Sequence, residues 1–139
     1  MKLPLLDSSV FSPFKGRIEN LIDSTKLSLV VIYELSATNI DESAAQKVER
    51  WRISAQKSNR LITPTQADWL AAANAVRRLR KLRLIDRNMP ATTLQNDALI
   101  ARSAYTHECF IVTENIQDFT LLQKVMPKLE VIPAQEFFN

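Results

Sequence analysis

The sequence predicts an α/β domain in which a central parallel sheet is covered by helices on both faces. Short apolar runs that stop at polar residues alternate with longer segments of helical spacing, the pattern of strand–helix–strand units. A chain of 139 residues suits one domain, residues 1–139, and its 46% hydrophobic content supplies a core without disulfide or metal staples.

Each element follows from local chemistry. Residues 3–6 form an apolar run that ends at Asp7 and read as the first strand. Ser12 before Pro13 looks like an N-cap with proline in the first turn, opening a helix to about Asp23. Residues 27–29 give a brief strand, and residues 30–38 a helix that carries Glu34. Asp41 caps a longer helix to about Ser58, with Ala45, Val48, Trp51 or Arg52, and Ala55 at helical spacing.

Leu61 and Ile62 make a short strand closed by Thr63-Pro64, and Thr65 caps an alanine- and leucine-rich helix to about Arg83. Thr92 or Thr93 caps the helix TLQNDALIARSAYTH. Residues 109–112 are apolar and β-branched and read as a strand. A helix over residues 118–125, a last strand over residues 129–132 and a helical turn in PAQEFF complete the order.

The inventory excludes several chemistries. One histidine, His107, and one cysteine, Cys109, cannot build a zinc site of nitrogen and sulfur ligands or an internal disulfide. The single glycine, Gly16, allows neither a P-loop nor a dinucleotide-binding loop, and no serine sits in a nucleophile elbow. No apolar run approaches the roughly 18 residues of a membrane span. With no secretory signal pattern at MKLPLLDSSV, the cytoplasm is the expected location.

Net charge is +3, unevenly placed. Between Lys47 and Arg87 eleven basic residues face three acidic ones, a local balance of +8, which leaves −5 for the remainder. A basic middle attracts a polyanion while carboxylates gather elsewhere.

Asp97 is the informative residue. Its same-face neighbours on the helix are Thr93, Leu94, Ile100, Ala101 and Ala104, a core-facing stripe without a Lys or Arg partner. Glu34 repeats the pattern among Val30, Val31, Ala37 and Thr38. Asp7 stands at the end of the first strand and Asp118 just beyond another, where α/β folds place their sites. Four converging carboxylates would repel one another unless a hard, oxygen-seeking cation, Mg²⁺ or Mn²⁺, neutralised them.

At these residues the chain resembles the PIN-domain nucleases, and within them the VapC-type toxins of bacterial toxin–antitoxin pairs. The matching pieces are LLDSSV, VVIYEL, ITPTQADW, NDALIA and TENIQDF, in the family's order and spacing over nearly the whole chain. The resemblance implies a PIN-like fold with Asp7, Glu34, Asp97 and Asp118 as the catalytic, metal-holding acids. It implies supporting roles for Ser9, Thr113 and Asn115, an RNA substrate, a cognate antitoxin and a homodimer. Two departures are Glu108, where the family often has glycine, and the atypical segment FSPFKGRIENLIDS.

The basic run Arg77, Arg78, Arg80, Lys81 and Arg83 ends a long helix, where cations suit the dipole; contact with RNA phosphates or an acidic antitoxin segment is the competing reading. Trp51, Trp69 and Tyr33 are expected to pack in the core or a dimer interface, Cys109 to be inert core and His107 a helix-end residue. Rival functions are a catalytically silent PIN-like module, a DNA-directed nuclease with the same carboxylates, and a small DNA-binding regulator.

Overall fold

The computed structural model describes residues 2–139. Its elements run β1 (Pro4–Leu6), α1 (Lys15–Leu21), β2 (Leu27–Ser28), α2 (Leu29–Thr38), α3 (Glu42–Lys57), β3 (Leu61–Ile62), α4 (Gln66–Lys81), α5 (Gln95–Thr106), β4 (Phe110–Thr113), α6 (Ile116–Gln123), β5 (Val131–Pro133) and α7 (Ala134–Phe137). All strand pairs are parallel. β4 lies centrally between β1 and β5, with Leu5 opposite Ile111 and Ile111 opposite Val131.

The sheet is divided where one sheet was expected. β2 and β3 form a separate two-stranded pair, joined to β1 through a single parallel bridge between Leu5 and Lys26. At two residues each, these strands are too short to extend the ladder. Consecutive side chains of a strand point to opposite faces. Leu5 and Leu6 on β1, and Ile111 and Val112 on β4, are all buried, so helices cover both faces of the main sheet. One apolar cluster runs through it and takes in Phe119, Leu99, Ile100 and Leu79.

Several helix starts differ from the local expectation. Ser12 caps nothing: the chain leaves β1 through a 3-10 turn, Ser8–Val10, and α1 begins at Lys15 after Phe14. Neither Thr92 nor Thr93 caps α5; the loop turns there on bonds from Thr93 N–H to the Pro90 carbonyl and Gln95 N–H to the Thr92 carbonyl. Asp41 stands at the N-cap of α3 without a side-chain bond. α6 starts two residues earlier than expected, so Asp118 lies inside its first turn. By contrast Ser28 accepts from Val30 and Val31 N–H, and Thr65 with Asp68 forms a reciprocal capping box on α4.

Three helix ends share one solution. Asn59, Arg83 and Glu108 have φ of 59°, 58° and 54°, the left-handed region that glycine usually occupies. In each case the next N–H reaches back five residues: Arg60 to Ala55, Leu84 to Leu79, and Cys109 to Ala104. The three longest helices therefore stop with Schellman-type closures made without glycine. Asparagine tolerates this backbone; arginine and glutamate do so at a cost of roughly 1–2 kcal/mol. Glu108→Gly is expected to raise stability by about 1 kcal/mol, read as a higher denaturant midpoint at unchanged slope. A midpoint that fell would refute this reading of the turn.

Of the three aromatic side chains expected to pack in the core or a dimer interface, one packs against the core and two do not. Trp51 packs on Phe11 with ring centroids 5.7 Å apart, but Tyr33 is 65% exposed and Trp69 48% exposed. Both lie on helix faces that turn away from the core. Cys109 is buried and free, and burial raises its thiol pKa. His107 ends α5 in the exposed C-cap position. Among the described residues no helix is long and apolar enough to cross a membrane.

Candidate active site

The site lies where β1 and β4 end and α5 and α6 begin. The parallel register Leu6–Val112 aligns the ends of the two strands, so Asp7 and Thr113 emerge side by side. Asp7 is 3% exposed. Its Oδ2 accepts from the Ser9 hydroxyl at 2.7 Å and the Thr113 hydroxyl at 2.8 Å. Each hydroxyl in turn accepts a backbone N–H, Ser9 from Glu114 at 3.0 Å and Thr113 from Asn115 at 2.8 Å. Both hydroxyl protons are thereby directed to Asp7, and its other oxygen carries no hydrogen bond among the described residues.

Asp97 and Asp118 each sit in the first turn of a helix, α5 and α6, where free N–H groups favour a negative charge. The Asn115 amide bridges them, donating to Asp97 Oδ2 at 3.3 Å and Asp118 Oδ2 at 3.1 Å. Glu34 projects from α2. Its Oε1 accepts from the Ser8 hydroxyl at 3.1 Å, and its Oε2 is 3.5 Å from the Asn96 amide.

The electrostatics tie the four together. Asp97 is pushed up to about 7 from an ordinary 3.8, by burial first and then by the charges of Asp7, Asp118 and Glu34. A hydrogen bond that the protonated acid gives Asp118 adds to the rise. Glu34 is also raised, chiefly by burial and further by Asp7, against the opposing Ser8 and Asn96 bonds. None of the ion pairs among the described residues involves any of the four acids. Four carboxylates from distant parts of the chain thus share one site without a cationic side chain on them.

The donor set is oxygen throughout, which suits a hard divalent cation and excludes a soft one. Among the described residues no three such side chains are drawn together as a finished metal cage.

Two contributors escaped the sequence reading. Ser8 and Asn96 both hold Glu34, and their only local signal was adjacency to the acidic motifs. The surroundings of Glu34 also differ: Val30 and Val31 are buried, but Ala37 and Thr38 are exposed because α2 runs out past the core. For Asp97 the stripe of Leu94, Ile100, Ala101 and Ala104 is buried, with the acid at its half-exposed end.

The basic run divides. Arg80 is not free to meet a partner: its guanidinium donates to the carbonyls of Asp86, Arg87 and Met89 and ties down the loop after α4. Arg77, Arg78 and Lys81 are exposed.

No family profile matches the sequence, and no curated protein matches it. Solved structures do. FitAcB from Neisseria gonorrhoeae is 15% identical at a TM-score of 0.63, over 96% of this chain and 99% of that one. DNA-bound VapBC from Salmonella typhimurium is 14% identical at 0.59, over 96% and 99%. VapBC2 from Rickettsia felis, bound to a promoter DNA fragment, is 22% identical at 0.53, over 94% and 97%. In fold, the chain is a PIN-like α/β protein of the kind found in these structures.

Proposed function

We propose that the protein is a divalent-cation-dependent endoribonuclease, the toxin of a cytoplasmic toxin–antitoxin pair. The observation that carries this reading is the convergence of Asp7, Glu34, Asp97 and Asp118 without an ion pair to a cationic side chain among the described residues, with Asp97 raised to about 7 by burial and then by the other three. Structural proteins seldom keep such an arrangement, because each unpaired buried charge is costly. Likeness in fold to VapBC and FitAcB supports the toxin reading, as does the resemblance of the acidic motifs to VapC-type toxins. On that reading a cognate antitoxin is the partner and the active form a homodimer.

Asp7 and Asp97 would be the main ligands of Mg²⁺ or Mn²⁺, with Glu34 and Asp118 completing the set or orienting the attacking water. The ion would supply an acidified water and charge neutralisation at the phosphate. The chain's own residues do the rest. Ser9 and Thr113 fix the oxygen of Asp7 and leave its partner oxygen free. Asn115 sets the spacing of Asp97 and Asp118, and Ser8 with Asn96 aims Glu34.

The test is cleavage of a labelled single-stranded RNA and its DNA counterpart, with Mg²⁺ or Mn²⁺ and with EDTA. RNA cleavage should require the cation and fall at least about a hundredfold in Asp97→Asn, more than loss of a supporting hydrogen bond causes. Cleavage that persists in EDTA or in Asp97→Asn would exclude this mechanism. Preference for DNA would instead favour the DNA-directed alternative.

A further inference from the structure

A second site lies away from the carboxylates. A cleft of about 290 Å³ opens between α4, the C-terminal part of α5 and the connection that follows α6. Its floor is apolar, with Ala75 and Val125 buried, and Tyr105, 43% exposed, lines it as well. Among the described residues three cations line it, Arg78, Arg102 and Lys128, and no acidic side chain does.

These cations are not spent elsewhere. Arg102 gives its Nε–H to Asp68 at 3.0 Å, and its terminal nitrogens make no hydrogen bond among the described residues. Arg78 makes one long contact among the described residues, 3.4 Å to the Val125 carbonyl. Lys128 forms no ion pair among the described residues. Asp68 offsets one positive charge from behind, which leaves two uncompensated at the cleft.

We propose that this cleft binds a phosphate group together with the planar base it belongs to, either as a free nucleotide or as one residue of a strand. The combination of parts is specific to that chemistry. Two guanidinium groups offer paired N–H donors to phosphate oxygens, and the ammonium adds a point charge. An aromatic side chain lining a cleft with an apolar floor accepts a base by stacking. The volume stands at the lower end for small-molecule sites, the scale of one nucleotide rather than a larger ligand. An acidic peptide would use the charges but leave the apolar floor and the tyrosine unfilled.

Independence from the carboxylates follows from helix geometry. Asp97 and Arg102 are five residues apart on α5, roughly 140° around its axis, so the two sites face different directions. The proposal does not rest on the nuclease reading.

The experiment is calorimetric titration at low salt in EDTA with adenosine 5′-monophosphate, adenosine, inorganic phosphate, a short single-stranded RNA and an acidic peptide. The monophosphate or the RNA should bind, adenosine should not, and the double variant Arg78→Glu/Lys128→Glu should weaken binding at least tenfold. Arg78→Lys should retain most of it, and Tyr105→Ala should reduce the monophosphate's advantage over inorganic phosphate. Lys57→Glu, at an exposed cation outside the cleft, should leave binding unchanged, which separates this site from general attraction to the basic surface. Binding by the monophosphate marks a nucleotide pocket, and binding by the RNA alone marks a strand-holding pocket; both support the proposal. Failure of both probes, insensitivity to the charge reversal in folded protein, or equal binding of the acidic peptide would overturn it.

Discussion

Asp97→Asn is expected to stabilise the cation-free protein by roughly 2 kcal/mol at about pH 8, a rise in melting temperature of roughly 7 °C. The sign follows from the raised acidity constant. Asp97 holds its proton to about 7 when folded, against 3.8 ordinarily, so the folded chain binds it more tightly than the unfolded chain. Wild-type stability is therefore greatest below about pH 4 in this respect, declines as pH rises toward 7, and stays reduced above it. The full shift corresponds to about 4 kcal/mol, and solvent access to the half-exposed group roughly halves that. Asparagine carries no charge and escapes the penalty. Added Mg²⁺ should raise the melting temperature of the wild type and do little for the variant. A variant that melts at or below the wild-type temperature in EDTA at pH 8 would show that the acids do not strain one another.

Asp68→Ala should act in the opposite direction, costing about 3 kcal/mol, or roughly 10 °C. Asp68 is 5% exposed. Its Oδ2 accepts the Thr65 N–H at 2.9 Å and closes the capping box, while its Oδ1 accepts from Arg102 at 3.0 Å. Deleting it leaves a helix end open and an arginine, whose side chain is 27% exposed, without its counter-charge. Burial opposes ionisation of Asp68, but the bonds from Thr65 and Arg102 outweigh it and hold its pKa below the ordinary value. The stability it contributes is present above the ordinary carboxylate range and is lost as pH falls through the lowered value. Asp68→Asn, which keeps an acceptor for Thr65, should cost about half as much. A loss under about 1 kcal/mol for the alanine variant would mean that the pair is too well solvated to matter.

These two acids show how unevenly local pattern reports on a site. Asp97 was visible because its helical neighbours are apolar and none is a cation. Asp68 carried no signal of its own in the sequence, because its partner Arg102 lies 34 residues away on another helix. Arg80 looked like one more member of a solvated basic run, yet it holds three loop carbonyls. Ser12 and Thr93 had the right residue type for caps, but the chain turns differently at both places.

By itself the sequence determined the alternation of strands and helices, the parallel pairing they imply, and the presence of acids at strand ends and on apolar helical faces. Those features depend on periodicity and short-range sterics, which a window of ten residues contains. Only the tertiary structure decided that the sheet divides at β2, which hydroxyl or amide holds which carboxylate, and which arginines remain free. A hydrogen bond needs donor and acceptor within about 3.5 Å, and that placement comes from packing between segments far apart in the chain.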